Sequence, residues 1–374
     1  MQGMNKLKFK TVTNEPRYSG DFSLPDFLRD ENGRFSREKT LEVIVKEEYG
    51  VIGDDDKREI TVSTEDITDR NADLYNGYLV CFKASHDKIK FTLARGKKLA
   101  SFIVDIFVPH KVENPNFIVQ LDFVSGAPTK YLPIEELIDR GVAIAHVNYD
   151  EITKDNADFT DGVASLFDRN LPYSPGKIAI WAYCASLIGE YLIGRGLADK
   201  TRLYVAGHSR LGKTALLTGA LYDIFAGCFV NCSGCSGAAI SREKQGETVQ
   251  KINEVFGYWF CPNYAKYNGK ENEMPFDQHY LLSSVFPRKA FIVAASEDDW
   301  ADTYAQYLCA EAASAAYEES GKTGLARLPE KPLTGEKNDE GNIKFFIRRG
   351  AHFFSREDWN FYIDCLEKDG SKRN

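Results

Sequence analysis

From residue 60 onward the chain changes its hydrophobic period several times. Between Ile60 and Pro109 polar and apolar residues alternate, and KIKFTLARGKKLASFIVDIFVP turns at Arg95-Gly96, which predicts an antiparallel hairpin. Asn116–Val124 and Gly141–Asp150 are instead almost continuous apolar runs bounded by turn residues, the pattern of strands covered by helices on both faces. Phe225–Cys232, Arg288–Ser296 and Ile343–Arg349 repeat that pattern. Helices are predicted between them at Glu135–Arg140, Ala179–Leu197, Ser241–Phe256 and Ala301–Tyr317, with Ser355–Lys368 closing the chain. The Ala179–Leu197 segment rests on Ile180, Tyr183, Leu187, Tyr191 and Leu192. Residues 1–59 are polar around one helix, Ser36–Tyr49, with Leu41, Val43 and Ile44 as its apolar residues, and read as an N-terminal extension or cap on a main domain of residues 60–374. Gly321–Asn342 reads as a long surface loop.

Antiparallel strands followed by repeated βα units is the order of the α/β-hydrolase fold: an α/β protein with a mostly parallel central sheet, antiparallel N-terminal strands and helices on both faces. A chain of 374 residues with 43% hydrophobic content can bury one large core. The net charge of −8 provides no basic footprint for nucleic acid or an anionic membrane. No apolar run reaches the roughly 18 residues of a membrane span, so a small or neutral substrate is expected. The eight cysteines are dispersed and MQGMNKLKFK lacks the apolar stretch of a secretory signal, which predicts a reducing, cytoplasmic location. Cys232-x-x-Cys235 has no second pair at metal spacing, and buried thiols rather than a zinc site are expected. Asp54-Asp55-Asp56 lacks the ligand alternation of a calcium loop and reads as a solvated turn.

The chemistry concentrates in Arg202–Ala220, RLYVAGHSRLGKTALLTGA, a strand, a tight turn and a helix in succession. Gly207 to Thr214 satisfies the phosphate-loop pattern G-x-x-x-x-G-K-[ST], and Gly207-His208-Ser209 also opens the nucleophile elbow G-x-S-x-G. A phosphate loop normally follows the first strand of its domain, whereas at least four predicted strands precede this one. It would also need Asp298 or Asp299 as its metal acid. A nucleophilic serine needs an imidazole to take its proton and a carboxylate to hold that imidazole's tautomer, in the chain order serine, acid, histidine. Of the six histidines, His86, His110, His146, His208 and His279 lie in or beside strands, before the serine or in the PFDQH loop. Only His352 follows the last strand and precedes the closing helix. Glu297, Asp298, Asp299 and Asp302 cluster after the AFIVAAS strand, and Asp298 is assigned as the acid.

Leu211 stands where the generic elbow has its second glycine, with Gly212 one position later. GHSRLGKTAL thereby resembles the G-x-S-R-x-G-K signature of the glucuronoyl esterases, which cleave the ester between 4-O-methylglucuronic acid of xylan and lignin alcohols. SGCSGAAISREKQGETVQKINEVFGYWF, MPFDQHYLLSSVFPRKAFIVAASEDDWAD and GAHFFSREDW resemble the bacterial branch of that family, as does LPDFL with the helix after it. The resemblance implies Ser209 as nucleophile, His352 as base and Arg210 as oxyanion donor. It implies further that Lys213 meets substrate hydroxyls or the uronic carboxyl function, Gln250 hydrogen-bonds sugar hydroxyls, and Trp300 walls the ring. No cofactor and no metal are implied. Many members carry the acid as a glutamate about 23 residues after the serine, where this chain has Cys232, so the resemblance is to members that take the acid from the next strand end, at Asp298. His208 replaces the more frequent cysteine and is expected to pack away from substrate. The reading is a serine ester hydrolase working through an acyl-enzyme on a small-molecule or oligosaccharide ester. The alternatives are an acetyl esterase or general carboxylesterase, a phosphate-loop nucleotide-binding protein, and a carbohydrate-binding pseudoenzyme.

Overall fold

A computed structural model describes residues 23–70, 80–326 and 333–371. Its centre is a ten-stranded sheet: β1 (Thr61–Asp66), β2 (Ala84–Arg95), β3 (Lys98–Pro109), β4 (Asn116–Asp122), β5 (Val142–Asn148), β6 (Leu203–His208), β7 (Gly227–Asn231), β8 (Lys289–Ala295), β9 (Lys337–Asn338) and β10 (Ile343–Arg348). The spatial order is β1-β2-β3-β5-β4-β6-β7-β8-β10-β9. β1, β2 and β3 are antiparallel neighbours, and β3 meets β5 antiparallel. From β5 through β4, β6, β7 and β8 to β10 every pairing is parallel, and β9 returns antiparallel at the far edge. This is the α/β-hydrolase arrangement expected from the order of patterns.

The parallel strands are buried on both faces because each pleat meets helices. Phe117, Val119 and Leu121 of β4 enter one apolar cluster with the helix Lys177–Gly194, while Ile118 enters a second with Leu137, Ile138, Trp359 and Tyr362 from the helices Ile134–Asp139 and Arg356–Ser371. The helix Lys177–Gly194 is buried nearly all round, as an apolar sequence without a polar face requires. All eight cysteines are free thiols, and only Cys81 is exposed. Among the described residues no helix is long and apolar enough to cross a membrane.

Two predicted helices differ in detail. Ser36 caps a helix over Arg37–Ile44, which then widens into a π-turn over Val45–Tyr49. The segment expected to be helical from Ser241 is helical only over Val249–Phe256, with Thr248 as N-cap. Residues 241–248 are irregular because distant carboxylates take their backbone donors: Asp277 accepts from Ser241 (2.7 Å) and Asp302 from Gln245 (2.8 Å). Side chains that cap from 36 and 57 residues away leave no local signal. The loop foreseen at Gly321–Asn342 contains β9, and its residues 327–332 lie outside the described part.

The stretch before β1 shares the main core through Ile44, Val45 and Tyr49. The Tyr49 hydroxyl donates to Ser236 O at 2.7 Å, and the neighbouring Glu48 carboxyl accepts from Gln278 Nε2 at 2.7 Å. Burial pushes Glu48 up from 4.5 to about 8 despite those donors. The native state therefore binds a proton that the unfolded chain gives up above its ordinary carboxylate pKa, and stability falls as pH rises from about 4.5 to 8. Glu48→Gln is expected to flatten this part of the Tm-against-pH profile; an unchanged slope between those limits would exclude Glu48 as its source.

Candidate active site

Strand β6 ends at His208 and the next helix, Arg210–Leu221, begins two positions on, leaving only Ser209 between them. Ser209 has φ 58° and ψ −124°, a conformation disfavoured for side-chain-bearing residues. Its N–H donates to Asn231 O (2.9 Å) and its carbonyl accepts from Lys213 N–H (3.0 Å). So abrupt a turn presses strand and helix backbones together. A Cβ on Gly207 would lie 2.1 Å from Leu211 O, and one on Gly212 would lie 2.9 Å from Asn231 O. The second glycine sits at 212 because the helix touches β7 there.

This turn rules out the phosphate loop. No loop separates strand from helix, and Lys213 is buried with its Nζ on Ser233 O (2.6 Å) and Glu247 Oε2 (3.4 Å). Thr214 Oγ1 donates back to Arg210 O at 3.0 Å, so neither side chain is presented to a phosphate or magnesium ion.

Two strand ends deliver the other groups. The ends of β8 and β10 are joined by Ser296 N–H to Arg348 O and Glu297 N–H to Gly350 O, each 2.9 Å. Across this junction His352 Nδ1 meets Asp298 Oδ2 at 2.6 Å. The four acids after β8 are separated by packing: Glu297 and Asp299 are exposed, Asp302 caps the helix Thr303–Glu318 by accepting from Ala305 N–H (3.0 Å), and Asp298 is buried against the imidazole. The ring of His352 lies 4.4 Å from that of His208, the residue before Ser209, which places the imidazole at the elbow.

His208 is buried, with its Nδ1 2.6 Å from Asn231 Oδ1, and Tyr131 and Phe354 also flank its ring. Burial, reinforced by the adjacent His352, holds it down to about 3, so it is neutral over the working range. Arg348 braces the His352 loop from beneath. Its guanidinium donates to the carbonyls of Arg349, Ala351 and Phe353, each at 2.9 Å, and pairs with buried Asp358 at 2.7 Å. Cys232 is buried beside Asp298 and His352, and burial raises its thiol well above the ordinary range.

Arg210 and Lys213 leave the elbow helix in different directions. The Arg210 guanidinium pairs with Asp155 Oδ2 and lies over the Trp259 ring, 4.8 Å from its centroid. Asp155 also accepts from Trp259 Nε1 (2.6 Å) and the Tyr149 hydroxyl (2.9 Å). The Arg210 N–H, at the first helical position, has no intrahelical partner. On the other side Glu247 bridges Lys213 to Trp300, whose indole N–H donates to Glu247 Oε1 at 3.2 Å. Trp300 is 53% exposed and presents a flat apolar face. Gln250 stands apart on the exposed side of its helix, with its amide donating to Glu254 Oε1 (2.7 Å). Asp155 and Glu247 were not singled out from the sequence. The one signal pointing to Glu247 was its place in the SREKQGETVQ segment.

The sequence profile of fungal glucuronyl esterases matches residues 91–321 of this chain. A carbohydrate esterase from an unknown prokaryotic organism is 37% identical over 241 residues, 63% of this chain and 55% of that protein. A 4-O-methyl-glucuronoyl methylesterase of Podospora anserina is 29% identical over 184 residues, 46% of this chain and 38% of its own length. The chain thus spans about half or less of the length of these two relatives. The structure of a glucuronoyl esterase from Solibacter usitatus superposes with a TM-score of 0.82 at 27% identity, covering 92% of this chain and 97% of that one. A promiscuous CE15 esterase from a marine bacterial metagenome superposes with a TM-score of 0.78, also at 27% identity, covering 92% and 96%. With an elbow serine, a histidine–aspartate pair at two neighbouring strand ends and a profile match over more than half its length, this chain belongs to the glucuronoyl esterase family.

Proposed function

We propose that this protein is a serine carboxylic ester hydrolase acting on a carbohydrate ester, most specifically a 4-O-methylglucuronoyl ester, through an acyl-enzyme on Ser209. The observation that carries the reading is the 2.6 Å contact of His352 Nδ1 with Asp298 at the mouth of the elbow. With Nδ1 donating to the carboxylate, Nε2 is the free base that takes the Ser209 proton as Oγ attacks the ester carbonyl. The same imidazole returns the proton to the departing alcohol, and water then repeats the sequence on the acyl-enzyme. Arg210 meets the developing oxyanion with its unpaired N–H at a helix N-terminus and with its guanidinium, which Asp155 and Trp259 hold in place.

The sugar is read by the Lys213–Glu247–Trp300 group. Glu247, held by Lys213, fixes the Trp300 indole, whose exposed face stacks on the ring, and Lys213 itself reaches a sugar hydroxyl only by exchanging its bond to Ser233 O or Glu247. Gln250, bonded to Glu254, contributes only if that bond is exchanged for a sugar hydroxyl. Two relatives support the sugar-ester reading by name, one a carbohydrate esterase and one a 4-O-methyl-glucuronoyl methylesterase. Trp300→Ala removes an exposed side chain and leaves the core intact. It is expected to lower kcat/KM on methyl 4-O-methylglucuronate by about tenfold, the value of one aromatic stacking contact, and to leave p-nitrophenyl acetate hydrolysis nearly unchanged. Equal losses on both esters would point to a general carboxylesterase.

A further inference from the structure

Cys232 has no role in the reaction above, yet it stands against the two residues that orient the base. One ligand-capable atom from each of Cys232, Asp298 and His352 lies within 4.8 Å of the other two. We propose that these three side chains form an inhibitory site for a thiophilic divalent cation, zinc being the natural case. The inference takes His352 as the catalytic base from the proposed function and adds a ligand that silences it.

The donor set suits the ion. Thiolate, imidazole and carboxylate are the three groups that bind zinc, and three protein ligands with water in the fourth place is an open tetrahedral site. Ligand bonds of about 2.0–2.3 Å put neighbouring donors about 3.3–3.7 Å apart. The 2.6 Å His352–Asp298 contact must therefore open, while the sulfur already lies within 4.8 Å of both other donors. Arg348 holds the backbone on both sides of His352, so the adjustment is a rotation of the exposed His352 side chain. Cys232 itself is fixed, with φ 45° and its N–H on Val293 O at 2.8 Å, so its Sγ is held in the cluster. The charges nearby are Asp298, Asp358 and Arg348, and the Arg348 charge is already spent on Asp358 (2.7 Å).

Inhibition follows from proton balance. In the active form the neutral imidazole carries its proton on Nδ1, toward Asp298. When the metal bonds to Nδ1, to Asp298 and to Cys232 Sγ, that proton moves to Nε2 and the thiol proton leaves to solvent, so one proton is released. Nε2 is then a donor and cannot take the Ser209 proton. Losing a general base costs about 10²–10⁴-fold.

The test uses the whole chain with zinc chloride, cadmium chloride and EDTA. Zinc at saturation is expected to lower p-nitrophenyl acetate turnover by about 10²-fold or more, with recovery on adding EDTA. Cadmium is expected to give a thiolate charge-transfer band. Cys81→Ser, which removes the exposed thiol, should keep both effects. Cys232→Ser should lose the band and keep its own metal-free rate in zinc. His352→Ala changes an exposed side chain and tests the site without activity: cadmium at half-maximal band should rise roughly tenfold or more. No band in the wild type, a band surviving in Cys232→Ser, zinc inhibition surviving there, or unchanged cadmium affinity in His352→Ala would each overturn the site. Failure of the hydrolase reading shows separately, as no metal-free turnover in a wild type that still gives the band.

Discussion

Ser209→Ala is expected to abolish ester hydrolysis, lowering kcat by about 10⁴–10⁶-fold, the range seen when the nucleophile of a serine triad is removed. Tm should stay where it is, because alanine retains the Cβ and with it the strained backbone at φ 58°. That strain costs of order 1–3 kcal/mol, and glycine would release it. Ser209→Gly should therefore be equally inactive but more stable, by about 1 kcal/mol. Inactivation together with a raised Tm would identify the strain as a cost carried for the exposed hydroxyl. Retained turnover in Ser209→Ala would refute the acyl-enzyme.

Asp298→Asn tests the acid, with an expected fall in kcat of about 10³–10⁴-fold at neutral pH. The substitution is isosteric, so the 2.6 Å contact survives. An amide, however, can present its NH₂ to Nδ1, which stabilises the tautomer with the proton on Nε2, and that nitrogen cannot receive the serine proton. Single-turnover kinetics on p-nitrophenyl acetate would show the loss in acylation. Cys232 offers no substitute: burial holds its thiol neutral, and a thiol cannot balance an imidazolium. A loss of less than tenfold would mean that another carboxylate supplies the acid.

The central strands were legible because a strand covered on both faces must be mostly apolar, as β4, β5, β6 and β8 are. The elbow was legible because strand, serine, glycine and helix are contiguous, and the strain at Ser209 follows from that contiguity. The stretch from Ser241 to Thr248 was misread because its backbone is capped by Asp277 and Asp302, which become neighbours only on folding. Glu247 was missed for a related reason. It stands next to charged and polar residues in sequence, and only the docking of its loop on Trp300 O (3.0 Å) brings it between Lys213 and the indole.

The chain order alone thus determined the fold class, the serine, and the position from which a histidine is delivered, since these depend on hydrophobic period and on residues adjacent in sequence. Which of four neighbouring acids faces His352, how Asp155 holds Arg210, and that Cys232 lies against the base pair were decided by tertiary structure. Each is a meeting of side chains from separate strand ends: the parallel pairing of β7, β8 and β10 brings Cys232, Asp298 and His352 together, and that of β5, β4 and β6 brings Asp155 to Arg210.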